Sequence, residues 1–230
     1  MLILSGLEWR IILTMFNMWG ESTSQQTQEP QNGSADQHLN RKQLNAKYPK
    51  PLIAIDRDGV IIECNGNVKT PEQFIPIEGS IQAISLLRSK GYKVAIVFDQ
   101  PGISKNEITI AEVENMNVFM LDLFGKAGCP SIDGILYNTS ESKDDPWSKP
   151  KPLMFNRLRD EFKVPTKGGY YVGDRLVDAK MANKGKLKPV LVRTGQYSED
   201  LKKFDSFSNK QLKKKTKVFD NLLEFAISLP

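Results

Sequence analysis

The chain has 230 residues, a net charge of +5 at neutral pH, 40% hydrophobic residues and 26% charged residues. This length suffices for one domain with a full core plus terminal extensions, and the composition is that of an ordinary soluble protein. The mild basicity suits an anionic ligand, but no nucleic-acid-binding motif occurs. Two cysteines without metal-type spacing give no sign of a disulfide framework, so a reducing, cytoplasmic location is expected.

The first twenty residues are apolar but contain Glu8 and Arg10. They are too short and too charged for a membrane span, and they lack the basic start and the cleavage site of a secretory signal. Three interpretations remain open: a translation start placed too early, with Met15 and Met18 as alternatives; an amphipathic docking helix; or a degenerate signal. The last two would direct the chain to a membrane surface or an organelle.

Residues 21–47 are rich in Ser, Gln, Asn and Gly and have almost no apolar side chains. Such a composition cannot bury enough apolar surface to offset the entropy of ordering the chain, so it predicts a disordered linker. The folded domain is therefore predicted to span residues 48–230.

A short apolar run from Leu52 to Ile55 predicts a buried strand that ends in Asp56-Arg57-Asp58-Gly59. Alternate residues of a strand point to the same side, so Asp56 and Asp58 begin on one face, and Gly59 permits a tight turn. Two carboxylates so close need a cation, because otherwise one of them takes up a proton. A simple acidic turn is the alternative, and this stretch alone does not decide between the two.

Strands and helices alternate along the rest of the domain, which predicts a parallel, doubly wound α/β sheet. The loop from Ile61 to Ile75 is too short for a large cap domain. The lysine-rich region over 202–217 is predicted to be a solvated face.

The other predicted strands are Lys93 to Phe98, Ile132 to Tyr137, Gly168 to Val172, Pro189 to Val192 and a last short one at Val218 and Phe219. The predicted helices are Gly79 to Lys90, Asn106 to Phe124, Pro152 to Phe162, Val177 to Lys184 and Leu222 to Leu229.

A second acidic cluster follows the strand that ends at Val172. Gly173 and Asp174 come directly after it, and Asp178 lies four residues beyond Asp174. Ligands of open α/β sheets bind at the carboxyl ends of the strands, so both acidic clusters meet in one crevice if their strands are neighbours. Lys149 and Lys151 lie between the clusters in the sequence and are candidates to balance an anionic ligand.

Several classes of phosphate-transferring enzyme are excluded by residue counts and spacing. A single histidine, His38, excludes a phosphohistidine mechanism and a His-rich binuclear metal site. Neither cysteine is followed six residues later by arginine, since Thr70 and Ile135 occupy those positions, and no P-loop occurs. Phosphoryl transfer through an aspartate remains.

At these residues the chain resembles the haloacid dehalogenase (HAD) superfamily of phosphohydrolases. Asp56, Asp58 and Gly59 match its first motif, Lys149 its third, and Asp174 with Asp178 its fourth. The segments DRDGVI, VFDQPGIS, KPKPLMF and PVLVRTG resemble the branch that holds D-glycero-D-manno-heptose 1,7-bisphosphate phosphatase and the histidinol-phosphate phosphatase domain. The resemblance runs from about Pro51 to Gly195 and implies a HAD-like (Rossmannoid) fold with no cap or a minimal one.

The resemblance also implies a Mg²⁺-dependent phosphomonoester hydrolase that acts through an aspartyl-phosphate on a small phosphorylated metabolite of the sugar phosphate or bisphosphate class. Asp56 is the implied nucleophile, Asp58 the acid and base, and Lys149 the partner of the phosphate. The implied metal ligands are Asp56, Asp58 through its backbone carbonyl, Asp174 and Asp178. The candidate substrate-binding residues are Arg57, Asp99, Gln100, Lys151 and Arg175.

The chain departs from the family pattern at three places. Phe98 and Asp99 stand where the family has Thr and Asn, which donate hydrogen bonds to the phosphoryl group, and losing one such donor costs about 10²- to 10³-fold in rate. Ser148 stands where an arginine precedes the third-motif lysine. The loop NTSESKDDPWSKP lacks the three Cys and one His of the zinc loop in the heptose phosphatases, so no structural zinc is expected there.

These departures favour one further hypothesis, and a second stays open beside it. The first is a pseudo-phosphatase that retains the fold and serves as a binding or assembly subunit. The second is a nucleic-acid end phosphatase, which gains support from the basic balance and requires a salt-sensitive affinity for DNA or RNA. The oligomeric state does not follow from the sequence.

Overall fold

The computed structural model describes residues 11–12, 50–64, 66–129, 131–204 and 209–230. The interpretations of residues 1–20 and the linker predicted for 21–47 lie outside these residues, except that Ile11–Ile12 forms a short strand. Within the described ranges, no helix has the length and apolar character needed to cross a bilayer.

The described chain forms one sheet of seven strands. They are β1 (Ile11–Ile12), β2 (Leu52–Ile55), β3 (Lys93–Asp99), β4 (Gly134–Asn138), β5 (Tyr170–Gly173), β6 (Lys188–Val192) and β7 (Lys217–Phe219). Their spatial order is β1-β4-β3-β2-β5-β6-β7. Strands β2 to β7 pair in parallel, whereas β1 lies antiparallel on the outer edge of β4. The predicted parallel, doubly wound sheet is confirmed.

Helices cover both faces of this sheet. They are α1 (Ser80–Ser89), α2 (Ile110–Lys126), α3 (Leu153–Asp160), α4 (Leu176–Lys184), α5 (Tyr197–Phe204), α6 (Lys210–Lys215) and α7 (Leu222–Ser228). Side chains of α1, α2 and α7 pack with Ile53 and Ile55 on one face. Side chains of α3 and α4 pack with Leu52 and Ala54 on the other. Because alternate residues of β2 face opposite sides, both sets are fully buried and the strand is a continuous apolar run.

Most predicted strands and helices differ from the observed ones by one or two residues at their ends, but the start of α2 was predicted wrongly. Asn106 has a φ of +58°, which a helix does not allow. The helix begins after Thr109, whose side chain accepts a hydrogen bond from the Glu112 backbone N–H while Glu112 caps the Thr109 backbone N–H. This capping box fixes the start four residues later than predicted.

The connection from β2 to α1 is short, as predicted. Its described residues contain a single 3₁₀ turn, Pro71–Gln73, and an isolated bridge between Ile62 and Pro76. The fold therefore has no cap domain between these two elements.

The solvated face predicted for the lysine-rich region is also confirmed, since the described lysines from 202 to 217 are exposed.

Candidate active site

Three neighbouring strands bring acidic residues to one edge of the sheet. Asp56 follows β2, Asp99 ends β3, and Asp174 follows β5. Strand β2 lies between β3 and β5 and is parallel to both. The carboxyl ends of the three strands therefore open into the same crevice, which is where ligands bind in folds of this type.

Lys149 links the two acidic clusters. Its Nζ lies 2.6 Å from Asp56 Oδ2 and 2.9 Å from Asp178 Oδ1, and all three side chains are almost completely buried. Asp178, in the first turn of α4, also accepts a hydrogen bond from the Arg175 backbone N–H at 3.0 Å. The lysine is thus held between two carboxylates in a site from which water is largely excluded.

The carboxylates of Asp56, Asp174 and Asp178 fit a divalent cation. One oxygen from each lies within 4.8 Å of the others. Asp174 Oδ2 accepts a hydrogen bond from the Gln196 backbone N–H at 2.7 Å, whereas its Oδ1 is buried without any hydrogen-bond partner. An unpaired buried acceptor is costly, and Mg²⁺ prefers oxygen ligands of this kind. The unpaired oxygen is the structural feature that a bound metal ion would satisfy.

Burial and mutual repulsion perturb the titration of this cluster. Burial, followed by the neighbouring charge of Asp178, raises the pKa of Asp174 to about 6. Burial likewise raises the pKa of Asp56 well above its usual value, although Lys149 opposes the rise. Burial disfavours the charge on Lys149, but Asp178 and Asp56 outweigh it and hold the pKa of the ammonium well above its ordinary value. The Lys149 ammonium balances only one of the three carboxylate charges, and a divalent cation would balance the other two.

This arrangement predicts that Mg²⁺ binding weakens as the pH falls through about 6. A metal ion binds the ionised carboxylate, and Asp174 is mostly ionised at pH 7 and mostly protonated at pH 5. We expect the apparent affinity to fall at least about tenfold between these pH values, since protonation of one ligand alone gives that factor. Calorimetric titration of the protein with MgCl₂ at both pH values measures it. An affinity independent of pH over this interval would contradict the assignment of Asp174 as a ligand.

Two glycines pack directly against Asp174. Gly59 and Gly195 have φ values of +81° and +58°. A Cβ atom would lie 2.3 Å from Asp174 Oδ2 if added to Gly59, and 2.2 Å from it if added to Gly195. The Thr194 hydroxyl donates to the Gly59 carbonyl at 2.6 Å and joins the two turns. Only glycine at both positions lets the turns enclose this carboxylate.

Gly195→Ala is therefore expected to displace Asp174 and to weaken Mg²⁺ binding by about 10- to 100-fold, the usual loss when the surroundings of a metal ligand are disturbed. Gly168→Ala is the matched control, because Gly168 also has a positive φ, +81°, but has open space where a Cβ would lie. Magnesium titration of both variants measures the difference. Equal Mg²⁺ affinities in Gly195→Ala and Gly168→Ala would show that the close contact between residue 195 and Asp174 does not affect metal binding.

Asp58 and Arg57 form a pair of their own. The Arg57 Nε and Nη2 atoms donate to Asp58 Oδ2 at 3.2 and 3.0 Å, so the Asp58 carboxylate is paired with the arginine and is not a member of the three-carboxylate cluster. A metal contact through the Asp58 backbone carbonyl stays a prediction. Arg57, expected to contact substrate, is only 2% exposed. Its guanidinium lies 4.0 Å from the centroid of the Phe98 ring.

Phe98 and Asp99 face opposite sides of the sheet. Phe98 is fully buried and stacks on the Tyr137 ring with the centroids 5.3 Å apart. Asp99 accepts a hydrogen bond from the Asn138 side chain at 3.1 Å. Burial raises the pKa of Asp99, and the charge of Lys149 lowers it. Asp99 thus lies close to the lysine, whereas Phe98 has no polar atom to offer to a phosphate.

The loop between β4 and α3 is held by its own hydrogen bonds. The Ser148 hydroxyl donates to the Ser142 carbonyl at 2.6 Å and accepts from Asn138 Nδ2 at 3.0 Å. Lys151 Nζ donates to the carbonyls of Lys143 and Asp145 at 2.9 and 3.1 Å. Lys151, which was expected to contact substrate, is therefore engaged together with Ser148 in fixing the loop that presents Lys149.

Two other predicted substrate-binding residues differ in their surroundings. The Gln100 side chain is buried, accepts from Arg57 Nη2 at 2.6 Å and donates to Asn67 Oδ1 at 2.7 Å. Arg175 is half exposed at the rim of the site, with Nε 4.0 Å from Asp200 Oδ2. Arg175 thus has the access to solvent that substrate contact requires, whereas Gln100 contacts protein groups.

Sequence reasoning missed two contributors to the site. Asn138, the last residue of β4, contacts both Asp99 and Ser148. The Tyr171 hydroxyl, buried within β5, lies 3.2 Å from Asp178 Oδ1 and 3.1 Å from the Val97 carbonyl. A tyrosine in a strand buried on both faces is a usable signal, since its hydroxyl must find a partner there.

The sequence matches the family model described as haloacid dehalogenase-like hydrolase over residues 18–185. The chain belongs to this family. A second model, HAD-hyrolase-like, matches residues 146–225 of this HAD chain.

Its relatives include the D-glycero-beta-D-manno-heptose-1,7-bisphosphate 7-phosphatases of Neisseria meningitidis serogroup A and Pseudomonas aeruginosa. The first is 34% identical and is aligned over 76% of this chain and 92% of its own length. The second is 32% identical, with coverage of 78% and 98%. These relatives assign the HAD chain to the heptose bisphosphate phosphatase branch and make it a phosphoric monoester hydrolase.

A solved structure similar to this HAD fold is the D,D-heptose 1,7-bisphosphate phosphatase from B. bronchiseptica complexed with magnesium and phosphate. The TM-score is 0.69 at 26% identity, and the alignment covers 77% of this chain and 96% of the other. The D,D-heptose 1,7-bisphosphate phosphatase from Burkholderia thailandensis gives a TM-score of 0.56 at 27% identity. The two alignments cover 96% and 97% of the respective solved chains.

Proposed function

We propose that the protein is a Mg²⁺-dependent phosphatase that forms an aspartyl-phosphate on Asp56 and acts on a small sugar phosphate or sugar bisphosphate. The observation that carries this proposal is the buried cluster in which Lys149 bridges Asp56 and Asp178 while Asp174 keeps one oxygen unpaired. The substrate class follows from the names of the relatives, which act on a heptose bisphosphate.

The first half-reaction replaces one bond to phosphorus by another. An Asp56 oxygen attacks phosphorus, the bond from phosphorus to the ester oxygen breaks, and Asp58 gives its proton to the departing alkoxide. In the second half-reaction, water attacks phosphorus and Asp58 takes up its proton. The bond to Asp56 then breaks and inorganic phosphate leaves, which restores the Asp56 carboxylate and the protonated form of Asp58.

The remaining residues of the cluster neutralise charge. Asp56, Asp174 and Asp178 would hold Mg²⁺, which when bound withdraws charge from the phosphoryl oxygens. Lys149 restrains the nucleophile and balances the added negative charge of the phosphate. This balance matters because the crevice is buried, so water screens its charges poorly.

Phosphate release from a panel of esters tests the proposal. The panel contains sugar phosphates, sugar bisphosphates, histidinol phosphate and an oligonucleotide with a 3′-phosphate, each assayed with MgCl₂ and with EDTA. We expect release that needs Mg²⁺ and that is fastest on a sugar phosphate or bisphosphate. Preference for the oligonucleotide would contradict the substrate class, and release by no ester from folded protein would contradict the phosphatase proposal.

A cytoplasmic location belongs to the same proposal. Cys64 and Cys129 are both free, as in a protein kept under reducing conditions.

A further inference from the structure

Arg57 is a buried charge to which the proposed reaction assigns no role. It is the largest of the fully buried side chains. A buried guanidinium is tolerated only when its charge and its donors are satisfied. Two of its nitrogens donate to the Asp58 carboxylate, and Nη2 also donates to Gln100 Oε1 at 2.6 Å. This paired arrangement fixes the plane of the guanidinium and, through it, the plane of the Asp58 carboxyl group.

Phe98 provides the surface on which this guanidinium rests. Strands β2 and β3 pair with Ile55 opposite Ile96, so Arg57 and Phe98 follow two residues further along in the same register. The ring centroid lies 4.0 Å from the guanidinium carbon, which is a close cation–π contact. Tyr137 stacks against the same ring and holds it from the adjacent strand β4. The contact depends on a flat aromatic face, which an aliphatic residue of similar volume lacks.

The far side of the network is fixed by two loops. Gln100 Nε2 donates to Asn67 Oδ1 at 2.7 Å, and Asn67 Nδ2 donates to Glu107 Oε2 at 2.9 Å. Asn67 approaches so closely that a Cβ atom on Gly102 would lie 2.4 Å from its Oδ1. The guanidinium is therefore held by a ring on one side and by an amide chain on the other.

Asp58 lies two residues beyond Asp56 at the carboxyl end of β2, and 23% of its side chain is exposed beside the buried arginine. We propose that Arg57, resting on Phe98, is a positioning residue that holds the Asp58 carboxyl group where it can protonate the departing oxygen of the ester. This inference rests on the proposed function. Phe98 cannot donate a hydrogen bond to the phosphoryl group, and this inference gives it a different role in the same reaction.

The leaving group separates this role from a purely structural one. A sugar alkoxide needs a proton as it departs, whereas the phenolate of p-nitrophenyl phosphate does not. Phe98→Leu keeps the apolar packing but removes the aromatic face. Release of the alcohol or phenol in a single turnover with excess enzyme reports the first half-reaction alone. We expect Phe98→Leu to slow release of the alcohol from the sugar phosphate that the wild type hydrolyses by about 10²-fold, and release of p-nitrophenol by less than about threefold.

Two further variants make the test independent of folding defects. Arg57→Lys keeps the charge but loses the planar arrangement of donors, and we expect the same unequal loss on the two esters. Phe124→Leu removes a buried ring from α2, far along the chain from the network, and we expect it to affect both esters equally. Circular dichroism establishes that each variant is folded. If Phe98→Leu does not fold, Arg57→Lys carries the test.

Equal losses in the rate of leaving-group release from both esters in Phe98→Leu and Arg57→Lys, or no loss on either, would overturn the positioning role while leaving the phosphatase proposal intact. If the wild type hydrolyses neither ester, the phosphatase proposal is overturned and the positioning role with it. The two failures are therefore told apart by the wild-type rate alone.

Discussion

Asp56→Asn is expected to lower phosphate release by at least about 10⁴-fold, because the amide cannot serve as the attacking nucleophile. The substitution is nearly isosteric, and Lys149 keeps its second partner, Asp178, at 2.9 Å. The fold is therefore expected to survive. Single-turnover phosphate release in excess enzyme measures the loss on the chemical step.

For Asp56→Asn we also predict an effect on stability, and its direction is opposite to that of the effect on activity. Removing one of three crowded carboxylates relieves repulsion, so without Mg²⁺ the variant is expected to melt at or above the wild-type temperature. With Mg²⁺ the wild type gains stability by binding the ion, and the variant is expected to gain less. Thermal unfolding with EDTA and with MgCl₂ tests both statements.

Asp122→Asn is the matched control for this experiment. Asp122 is an exposed carboxylate of α2 whose Oδ2 lies 2.7 Å from Lys126 Nζ, outside the crevice. It should change neither turnover nor the response to Mg²⁺, since surface pairs of this kind contribute little. Mg²⁺-dependent release that persists in Asp56→Asn would exclude Asp56 as the nucleophile.

Much of the fold can be read from the sequence because the central strands are buried on both faces. Such strands are short, continuous apolar runs, as at Leu52–Ile55, and their ends are set by the first polar residue. The start of α2 could not be read in this way. Its apolar stripe is compatible with a helix from Asn106 onward, and only the positive φ of Asn106 and the capping box at Thr109 place the start later.

The four charged residues of the cluster could be anticipated for a related reason. Asp56 and Asp174 directly follow β2 and β5, and Asp178 lies in the first turn of α4, so their positions depend mainly on strand order. Lys149 lies on a loop, and its approach to them was expected from its position between the two acidic stretches of the sequence and from the resemblance to the family. The direction of each side chain depends on more distant contacts.

Helices α5 and α6 were not predicted, and within the site the sequence did not reveal the side-chain orientations. Arg57 was expected to contact substrate, yet it turns inward because Phe98 offers an aromatic face and Asp58 a carboxylate. Lys151 was expected to contact phosphate, yet the loop around it presents two backbone carbonyls at hydrogen-bond distance. Neither outcome follows from the spacing of residues, since the partners are set by how the loops fold back.

Lys149→Met is expected to destabilise the metal-free protein by about 3–5 kcal/mol, because it removes one partner of a buried ion pair and leaves carboxylates without a counter-charge. Lys149 is 6% exposed and contacts both Asp56 and Asp178, so solvent cannot replace it. For a chain of this size, the loss corresponds to a fall in Tm on the order of 10 °C. Thermal unfolding in EDTA at pH 8 measures it.

Two conditions should reverse much of this loss if charge is its cause. Mg²⁺ supplies positive charge to the same carboxylates, and acidification to pH 5 protonates groups such as Asp174, whose pKa is about 6. Both are expected to narrow the difference in Tm between Lys149→Met and the wild type. Lys151→Met is the control, because it makes the same change two residues away, where the ammonium donates only to backbone carbonyls. A loss in Lys149→Met that neither Mg²⁺ nor acid reduces would mean that packing, and not charge, makes this lysine necessary.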